Sequence, residues 1–377
     1  MEERFEVVVT GAGVAGLEAA FALRELAGPR VGVTVISDEP EFVYRPLAVR
    51  EPFTDVPAER YALADVIGDA GAEHLHDSFS WLEPGSNLVH TRGGRELSYD
   101  ALLLALGARA RPYFRHARTL AYGRLSHQLS ELLAEVERGT LQRLVAVVPS
   151  RMGWPLPVYE LCLLLAAGAR ERARELEVTL ATREEAPMAW FGAPAAEAVA
   201  DALHRSGVRL ITGVRCEVPD PGLVSVRPGV SAIECDCVVA PPQLYGPSTP
   251  GVPKRARDGF ISVDGHCRVR GLLGVYAAGD ATDFPVKFGA VAGQQADAAA
   301  ASIAALAGAP VTPAPFHPVI HGVLRGAREP LYLSAHLIGG HAYRSEVDTT
   351  PRWRLPTRLA APHLASYLDS RERASAS

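Results

Sequence analysis

The apolar run FEVVVT at residues 5 to 10 passes at once into GAGVAGLEAAFALREL, where apolar positions recur at a helical period, and then into GVTVIS. A short β-branched run bounded by glycine predicts a buried strand, and the 3.6-residue period predicts a helix, so the chain opens on a βαβ unit. HDSFSWL, NLVHT and GRELSY predict short strands ahead of ALLLALGA at 101 to 108. A second alternation begins near residue 125. It reads as helix (LSHQLSELLAEVERG), strand (RLVAVV), tight connection, helix to about Arg174, strand (EVTLAT), helix (AAEAVADALHRSG) and strand (VRLITG). ECDCVVA reads as one further strand. The Pro- and Gly-rich APPQLYGPSTPGVP, 240 to 253, predicts a linker returning to the first unit. GLLGVYAAGDAT and an Ala-rich helix from about Gly289 to Ala307 follow, then a second linker, APVTPAPFHP, and a small tail of some sixty residues. The terminal SRERASAS is expected to fray.

The chain has 377 residues, 48% hydrophobic and 21% charged, which suits a soluble globular protein of two or three domains. A net charge of -5 without any basic block argues against a nucleic-acid partner. No apolar run reaches the roughly 18 residues of a membrane span. MEERFEVVV is acidic and enters a strand at once, unlike a signal peptide, so the expected location is cytoplasmic. The five cysteines, at 162, 216, 235, 237 and 267, form no CxxC pair, which disfavours a dithiol centre or a zinc cage. Cys235 and Cys237, about 6.5 Å apart on one face of a strand, are poorly placed for a disulfide and read as packing residues.

The first βαβ turn carries the spacing GxGxxG. Gly11 permits the tight turn, Gly13 lets the backbone approach a pyrophosphate, and Gly16 allows close helix–strand contact. Val14 and Ala15 begin the helix, whose free N–H groups and positive dipole end favour phosphate. An acid about 20 residues on should hold a ribose hydroxyl. Asp38 is the candidate, with Ser37 as a second contact.

Two further stretches identify the dinucleotide. YDALLLALGARARP, with Ala105 and Gly107, resembles the YDxLxxATG turn of two-dinucleotide-binding flavoproteins, and GVYAAGDATDF resembles their second FAD motif. By these three motifs, in order, the chain is identified as a member of the FAD-dependent pyridine nucleotide-disulfide oxidoreductase superfamily. It resembles most the sulfide:quinone reductase and type II NADH dehydrogenase branch, through VTVISDEPEFVYRPL and FPVKFGAVAGQQADAAAASIAA, the latter similar to a KxGxxAxxQ segment. The resemblance implies FAD as cofactor. Gly279 and Asp280 would meet the ribityl chain, and the helix after Phe288 would aim its N-terminus at the flavin pyrimidine edge, where it favours negative charge. Arg45 and Pro46 fall where the family's chain passes the cofactor, although Arg45 also reads as a surface charge. Lys287 either adds a positive charge beside the flavin or is a solvated surface lysine.

The implied fold is α/β, with two Rossmann-like three-layer units and a small C-terminal interface domain. The boundaries are 1–115 with 245–312 for FAD, 116–244 for an NAD-binding-like unit, and 313–377 for the tail. In NAD(P)H-using relatives the second unit carries GxGxxGxE. With Glu160 as register the glycine places fall on Gly153, Pro155 and Val158, and only the first matches. Pro155 removes an N–H where phosphate would approach, and Val158 puts a β-branched side chain where contact should be closest. Pro157 still favours a helix start. Glu184 or Glu185 either mimics a ribose acid or is a surface charge. In sulfide:quinone reductases a catalytic cysteine precedes the tyrosine of PxYE by five residues, and Trp154 holds that place here. Trp154 is therefore a candidate cover for the flavin or a substrate pocket. Tyr159 and Glu160 are candidates for proton transfer, with a helix-capping glutamate as the other reading. Cys162 lies inside an apolar helix, and His317 and His321 lack ligand-type neighbours, so no metal is expected.

The implied activity is electron transfer through FAD between a small-molecule donor and acceptor, a quinone or sulfur compound among the classes, without efficient NAD(P)H use. An atypical NAD(P)H oxidoreductase and a flavin-binding regulatory protein are the alternatives. The tail, with Trp353, Leu355, Leu359, Leu364, Tyr367 and Leu368 among arginines and Pro362 interrupting it, favours packing or a homodimer contact over a peripheral membrane contact.

Overall fold

The computed structural model describes residues 4–44, 59–121, 124–149, 153–229, 232–338, 341–350 and 361–375. Arg45, Pro46, Trp353, Leu355 and Leu359 lie outside the described residues.

Two five-stranded parallel sheets organise the α/β chain. The first is built from β1 (Phe5–Thr10), β2 (Val31–Ile36), β3 (Glu73–Leu75), β4 (Ala101–Leu104) and, from much later in the chain, β10 (Val275–Ala277). Its strand order is β10-β4-β1-β2-β3, with every neighbouring pair parallel. The second sheet takes β5 (Arg118–Thr119), β6 (Arg143–Val148), β7 (Glu177–Thr182), β8 (Arg209–Ile211) and β9 (Cys237–Ala240), in the order β5-β9-β6-β7-β8 and again all parallel. The central strands are buried on both faces, which is why they read as continuous Val, Leu and Ala runs rather than as alternations. A three-stranded antiparallel sheet (Phe79–Glu83, Leu88–Thr91, Glu96–Ser98) projects from the first unit.

The helices are α1 (Val14–Ala27), α2 (Leu63–Asp69), α3 (Leu125–Glu137), α4 (Leu156–Glu171), α5 (Ala193–Arg205), α6 (Gly289–Leu306) and α7 (Pro362–Ser375). α1 and α6 pack side by side through small residues, Ala15, Ala19 and Ala22 against Ala292, Ala296 and Ala299. The tail sheet is antiparallel: β11 (Val319–Leu324), β12 (Leu331–Ile338) and β13 (His341–Asp348). Its inner residues Ile320, Leu324, Leu333 and Ala335 join the core of the second unit.

Four sequence expectations change. The stretch 240 to 253 is not a plain linker, because Gln243–Tyr245 forms a strand paired antiparallel with Arg109–Arg111. ECDCVVA is not one strand: Ile233–Glu234 and β9 belong to different sheets, with Cys235 and Asp236 at the crossing. The helix α7 continues to Ser375, so most of SRERASAS is helical rather than frayed, held by apolar contacts with α1. Pro362 opens that helix instead of interrupting it, in the position where a missing N–H costs nothing.

Candidate active site

The turn from β1 into α1 is shaped by its glycines. Gly11 has φ +95°, and a Cβ there would lie 2.5 Å from the Ala105 carbonyl oxygen. A Cβ on Gly16 would lie 1.9 Å from the Gly11 carbonyl oxygen, so only glycine lets the helix sit this close to the strand. Gly13 is different: an added Cβ meets nothing within 4 Å. The first N–H groups of α1, at Val14, Ala15 and Gly16, open onto that space without intrahelical partners. An exposed glycine with room above it, followed by orphan donors and a positive dipole end, fits a dinucleotide pyrophosphate. Ala105 closes the other side, its N–H donating to the Thr10 carbonyl (2.9 Å), and Gly107 (φ +66°) turns the chain away after it.

At the end of β2, Ser37 is buried and its Oγ accepts the Glu39 N–H (3.3 Å), while Asp38 is exposed and accepts the Ser78 hydroxyl at 2.5 Å. Asp38 keeps a second carboxylate oxygen for a ribose hydroxyl.

The second motif forms a tight 3-10 turn, Gly279–Ala281, after β10. Gly279 (φ +75°) is wedged between the Ala15 and Ala292 methyl groups, which would each lie 3.3 Å from an added Cβ. The turn is held by Gln295 of α6: its Oε1 accepts the Gly279 N–H (2.8 Å), and its Nε2 donates to the Thr282 hydroxyl (3.2 Å). Asp280, between two buried neighbours, makes no hydrogen bond among the described residues. Burial raises its pKa and the charge of Lys287 opposes the shift. A carboxylate with free lone pairs at this turn is suited to a ligand hydroxyl.

Lys287 is neither solvated nor loose. It is 4% exposed, its Nζ sits 4.1 Å from the centre of the Phe260 ring, and it donates to the Thr282 carbonyl. Burial pulls its pKa down to about 8 against the attraction of Asp280, Asp283 and Asp258. The surface reading is therefore overturned. Lys287 braces the turn that carries Asp280 through the Thr282 carbonyl. Phe288 is the residue before α6, in extended conformation.

The connection from β6 to α4 is strapped to this same region. The Gly153 N–H donates to the Pro285 carbonyl (3.0 Å) and the Lys287 N–H donates to the Gly153 carbonyl (3.3 Å), which makes a parallel bridge between Gly153 and Val286. Trp154 then stacks on Phe288, with ring centroids 4.4 Å apart and planes 6° from parallel. Pro155 precedes the first residue of α4, and Val158 is completely buried. A loop that has to cradle phosphate needs open N–H groups, whereas here the glycine backbone is spent on pairing with 285–287.

The acids near β7 complete this closure. Glu184 is 4% exposed, which corrects its reading as a surface charge. It accepts the Tyr159 hydroxyl (2.6 Å), the Thr182 hydroxyl (3.3 Å) and the Ala189 N–H (3.2 Å). Its carboxylate thus anchors residues 183–192, where Met188 adopts a left-handed conformation and Phe191 sits fully buried 5.8 Å from the Trp154 ring. The Ser345 hydroxyl of β13 donates to the Phe191 carbonyl, tying this loop to the tail sheet.

Tyr159 has 0% exposure, and burial raises its pKa with a further push from Glu184. Glu160, inside α4 and 2% exposed, pairs with Arg325 after β11 at 3.6 Å. It is not a helix cap. Tyr159 holds the 183–192 loop through Glu184, and Glu160 reaches the tail sheet through Arg325.

All five cysteines are free, and Cys162 is completely buried, its thiol pushed up to about 12 by burial. Burial likewise raises Cys216, Cys235, Cys237 and Cys267. His317 is exposed, and His321 lies on β11, where burial and the neighbouring His336 lower its pKa against the pull of Glu346. Two features escaped sequence reasoning. Gln295 stood in the quoted KxGxxAxxQ segment, but its role depends on the fold of the 279–282 turn. The structure also brings together Glu18, Asp297 and His363, with ligand-type atoms within 4.8 Å of one another, and the separation between Glu18 and His363 of 345 positions hid that group.

The family described as pyridine nucleotide-disulphide oxidoreductase matches residues 5–147 and 160–302. The match breaks across the rebuilt connection that contains Gly153, Trp154 and Pro155. An NADH dehydrogenase-like protein of Mycobacterium tuberculosis is 29% identical over 290 residues, covering 73% of this chain and 72% of that protein. A sulfide-quinone reductase of Aquifex aeolicus is 34% identical over 106 residues, 27% of this chain and 24% of that protein. The crystal structure of the sulfide:quinone oxidoreductase from Aquifex aeolicus superposes with a TM-score of 0.75 at 18% identity, covering 97% of this chain and 90% of that chain, a likeness of fold.

Proposed function

The chain belongs to the pyridine nucleotide-disulphide oxidoreductase family, and from that premise we propose that it is an FAD-dependent oxidoreductase that draws its electrons from a donor other than NAD(P)H. The observation that carries the second half of this reading is the strap: Gly153 paired to 285–287, with Trp154 stacked on Phe288. Residues 1–115 with 245–312 form the cofactor unit, 116–244 the rebuilt unit and 313–377 the tail.

FAD bound in this cleft would supply reversible two-electron chemistry. The chain's own residues then do the following. Gly11, Gly13 and Gly16 shape the turn, and the α1 N-terminus holds the pyrophosphate. Asp38 and Ser37 meet the adenosine ribose, and Asp280, fixed by Gln295 and Lys287, accepts a ribityl hydroxyl. The N-terminus of α6 places positive potential at its own mouth, which favours negative charge there. Trp154 and Phe288 wall the rebuilt side with stacked rings, backed by the fully buried Phe191, a wall suited to a planar apolar acceptor such as a quinone. Sulfide oxidation through a cysteine pair does not fit, because Trp154 stands at the relevant place and burial keeps the thiols protonated.

The similarity to an NADH dehydrogenase-like protein favours a second reading, NAD(P)H oxidation through an atypical nicotinamide site. Anaerobic titration of the purified flavoprotein with NADH, NADPH, sulfide and a reduced quinone, followed by flavin absorbance, separates the two. Bleaching by the quinol or sulfide and not by the nucleotides supports the proposal. Fast, saturable bleaching by NADH defeats it.

A further inference from the structure

The helix α7 does not stay with the tail sheet that precedes it. It lies across α1 and α6, where Leu364 and Leu368 are completely buried in the cofactor unit's core and the Tyr367 ring sits 4.7 Å from that of Phe21. Two fully buried leucines contribute about 3–6 kcal/mol of hydrophobic stabilisation to this docking.

The start of α7 is satisfied by a side chain from α1. Glu18 accepts the His363 N–H through Oε1 (3.0 Å) and the Leu364 N–H through Oε2 (2.6 Å), a capping arrangement supplied from the far end of the chain. Asp297 of α6 faces the same place. The oxygens of Glu18 and Asp297 and a ring nitrogen of His363 lie within 4.8 Å of one another. The charged and titratable neighbours are these: Glu25 of α1 lies 3.0 Å from His363 Nδ1, and Asp297 lies 3.9 Å from His363 Nε2. Further along, Arg371 reaches Asp65 (3.9 Å) and Asp69 (3.8 Å) of α2, and the Tyr367 hydroxyl donates to Asp69 (2.9 Å). Arg24 of α1 donates to the Asp69 carbonyl.

Glu18 has 0% exposure and lies against the half-buried carboxyl group of Asp297, and two carboxylates this close cannot both ionise without strong repulsion. With α7 seated, the pair keeps a proton. With α7 lifted, both groups meet water and ionise in the ordinary carboxylate range. We propose that α7 is a proton-linked clasp, fastening α1 to α6 while the Glu18–Asp297 pair holds one proton and lifting as that proton leaves. The helices it joins begin at Val14, after the 11–13 glycine turn, and at Gly289, after the 279–288 segment, so the clasp sets the packing of the elements that follow both motifs.

The direction follows from burial, which together with the charge of Asp297 raises Glu18 to about 9, and burial raises Asp297 as well. The seated state therefore holds a proton that the lifted state has already lost. Docking is strongest below the ordinary carboxylate range, weakens as pH rises, and levels off above about 9. Between those limits one linked proton makes the lifting constant rise about tenfold per pH unit.

Hydrogen–deuterium exchange of segment 361–375 in the full-length, flavin-loaded protein tests this, between about pH 6 and about pH 9, after correction for intrinsic exchange and with β6 as internal reference. The wild-type helix should lose protection about tenfold per pH unit while β6 does not. Glu18→Gln keeps an acceptor for the backbone but has no proton to lose, so its profile should be flat. His363→Gln should keep the slope. A flat wild-type profile, an equally steep Glu18→Gln, or a flat His363→Gln each overturns the clasp. Should Glu18→Gln fail to accumulate, Asp297→Asn replaces it: without the neighbouring charge the seated Glu18 titrates lower, so the loss of protection must level off at lower pH, and a profile that levels off where the wild type does overturns the proposal.

Discussion

The Trp154 and Phe288 rings lie flat on one another, 4.4 Å apart and 6° from parallel, so that one residue from each half of the chain joins in a single stacked pair. Trp154 is 9% exposed. The stack and the Gly153–Val286 bridge tie the connection between β6 and α4 to residues 285–288, the contact on which the proposed donor other than NAD(P)H rests.

NADH and NADPH are therefore expected to reduce the flavin slowly and without saturation at about millimolar concentration, the weak end of ordinary binding. Anaerobic stopped-flow absorbance measures this. Trp154→Ala should cost about 3–5 kcal/mol of stability for the lost ring, and should speed reduction by small diffusible donors by removing the cover. A variant of full thermal stability and unchanged rates would show that the stack is neither packed nor in the way.

The contrast between two glycines tests the cradle. Gly13→Val has open space and a backbone at φ -78° that valine adopts, so the fold should persist while the side chain occupies the phosphate position. The expected product is folded apoprotein, with FAD content down at least about tenfold, equivalent to about 1.4 kcal/mol of binding. Gly16→Val should instead abolish folding, since its Cβ would start 1.9 Å from the Gly11 carbonyl oxygen. Absorbance at the flavin band together with circular dichroism separates the two outcomes.

Lys287 gives a pH signature. Its pKa is lowered from 10.5 to about 8, so above about 8 the unfolded chain holds a proton that the folded chain has released. Stability from this group rises with pH through that window, by up to about 1.4 kcal/mol per unit. Lys287→Met should remove the rise, seen as a wild-type-minus-variant difference in Tm between about pH 8 and about pH 10, in which the thiol contributions common to both proteins cancel. A difference that falls with pH would contradict the burial assignment.

Cys162→Ala should retain at least about half the activity with whichever donor works, and leave the flavin spectrum unchanged, because the buried thiol stays protonated and unreactive. A loss of about two orders of magnitude with FAD still bound, about 2.7 kcal/mol in the barrier, would route the chemistry through a thiol.

Tyr159→Phe should destabilise the protein by about 1–3 kcal/mol by stripping buried Glu184 of a partner. Faster proteolysis within 183–192 should accompany the loss. Equal stability and equal proteolysis would mean that the pair does not anchor the loop.

The amino-acid order alone determined the two α/β units and the intact glycine turn, because those features depend on neighbours a few residues apart. Hydrophobic period, a φ only glycine accepts and a β-branched run announce themselves locally, and the damage at Pro155 and Val158 was visible for the same reason. The tertiary structure decided what each charged or aromatic residue does. Lys287 and Glu184 each had a solvated surface charge as one of two readings, and the fold removed it by burying both, Lys287 near Asp280 and Glu184 against Tyr159. Gln295 acquired its role from a turn sixteen residues away. Glu18, Asp297 and His363 form one group only because α7 crosses α1 and α6. A side chain's charge state and partner are set by the dielectric and the donors around it, and those come from distant segments that no local pattern specifies.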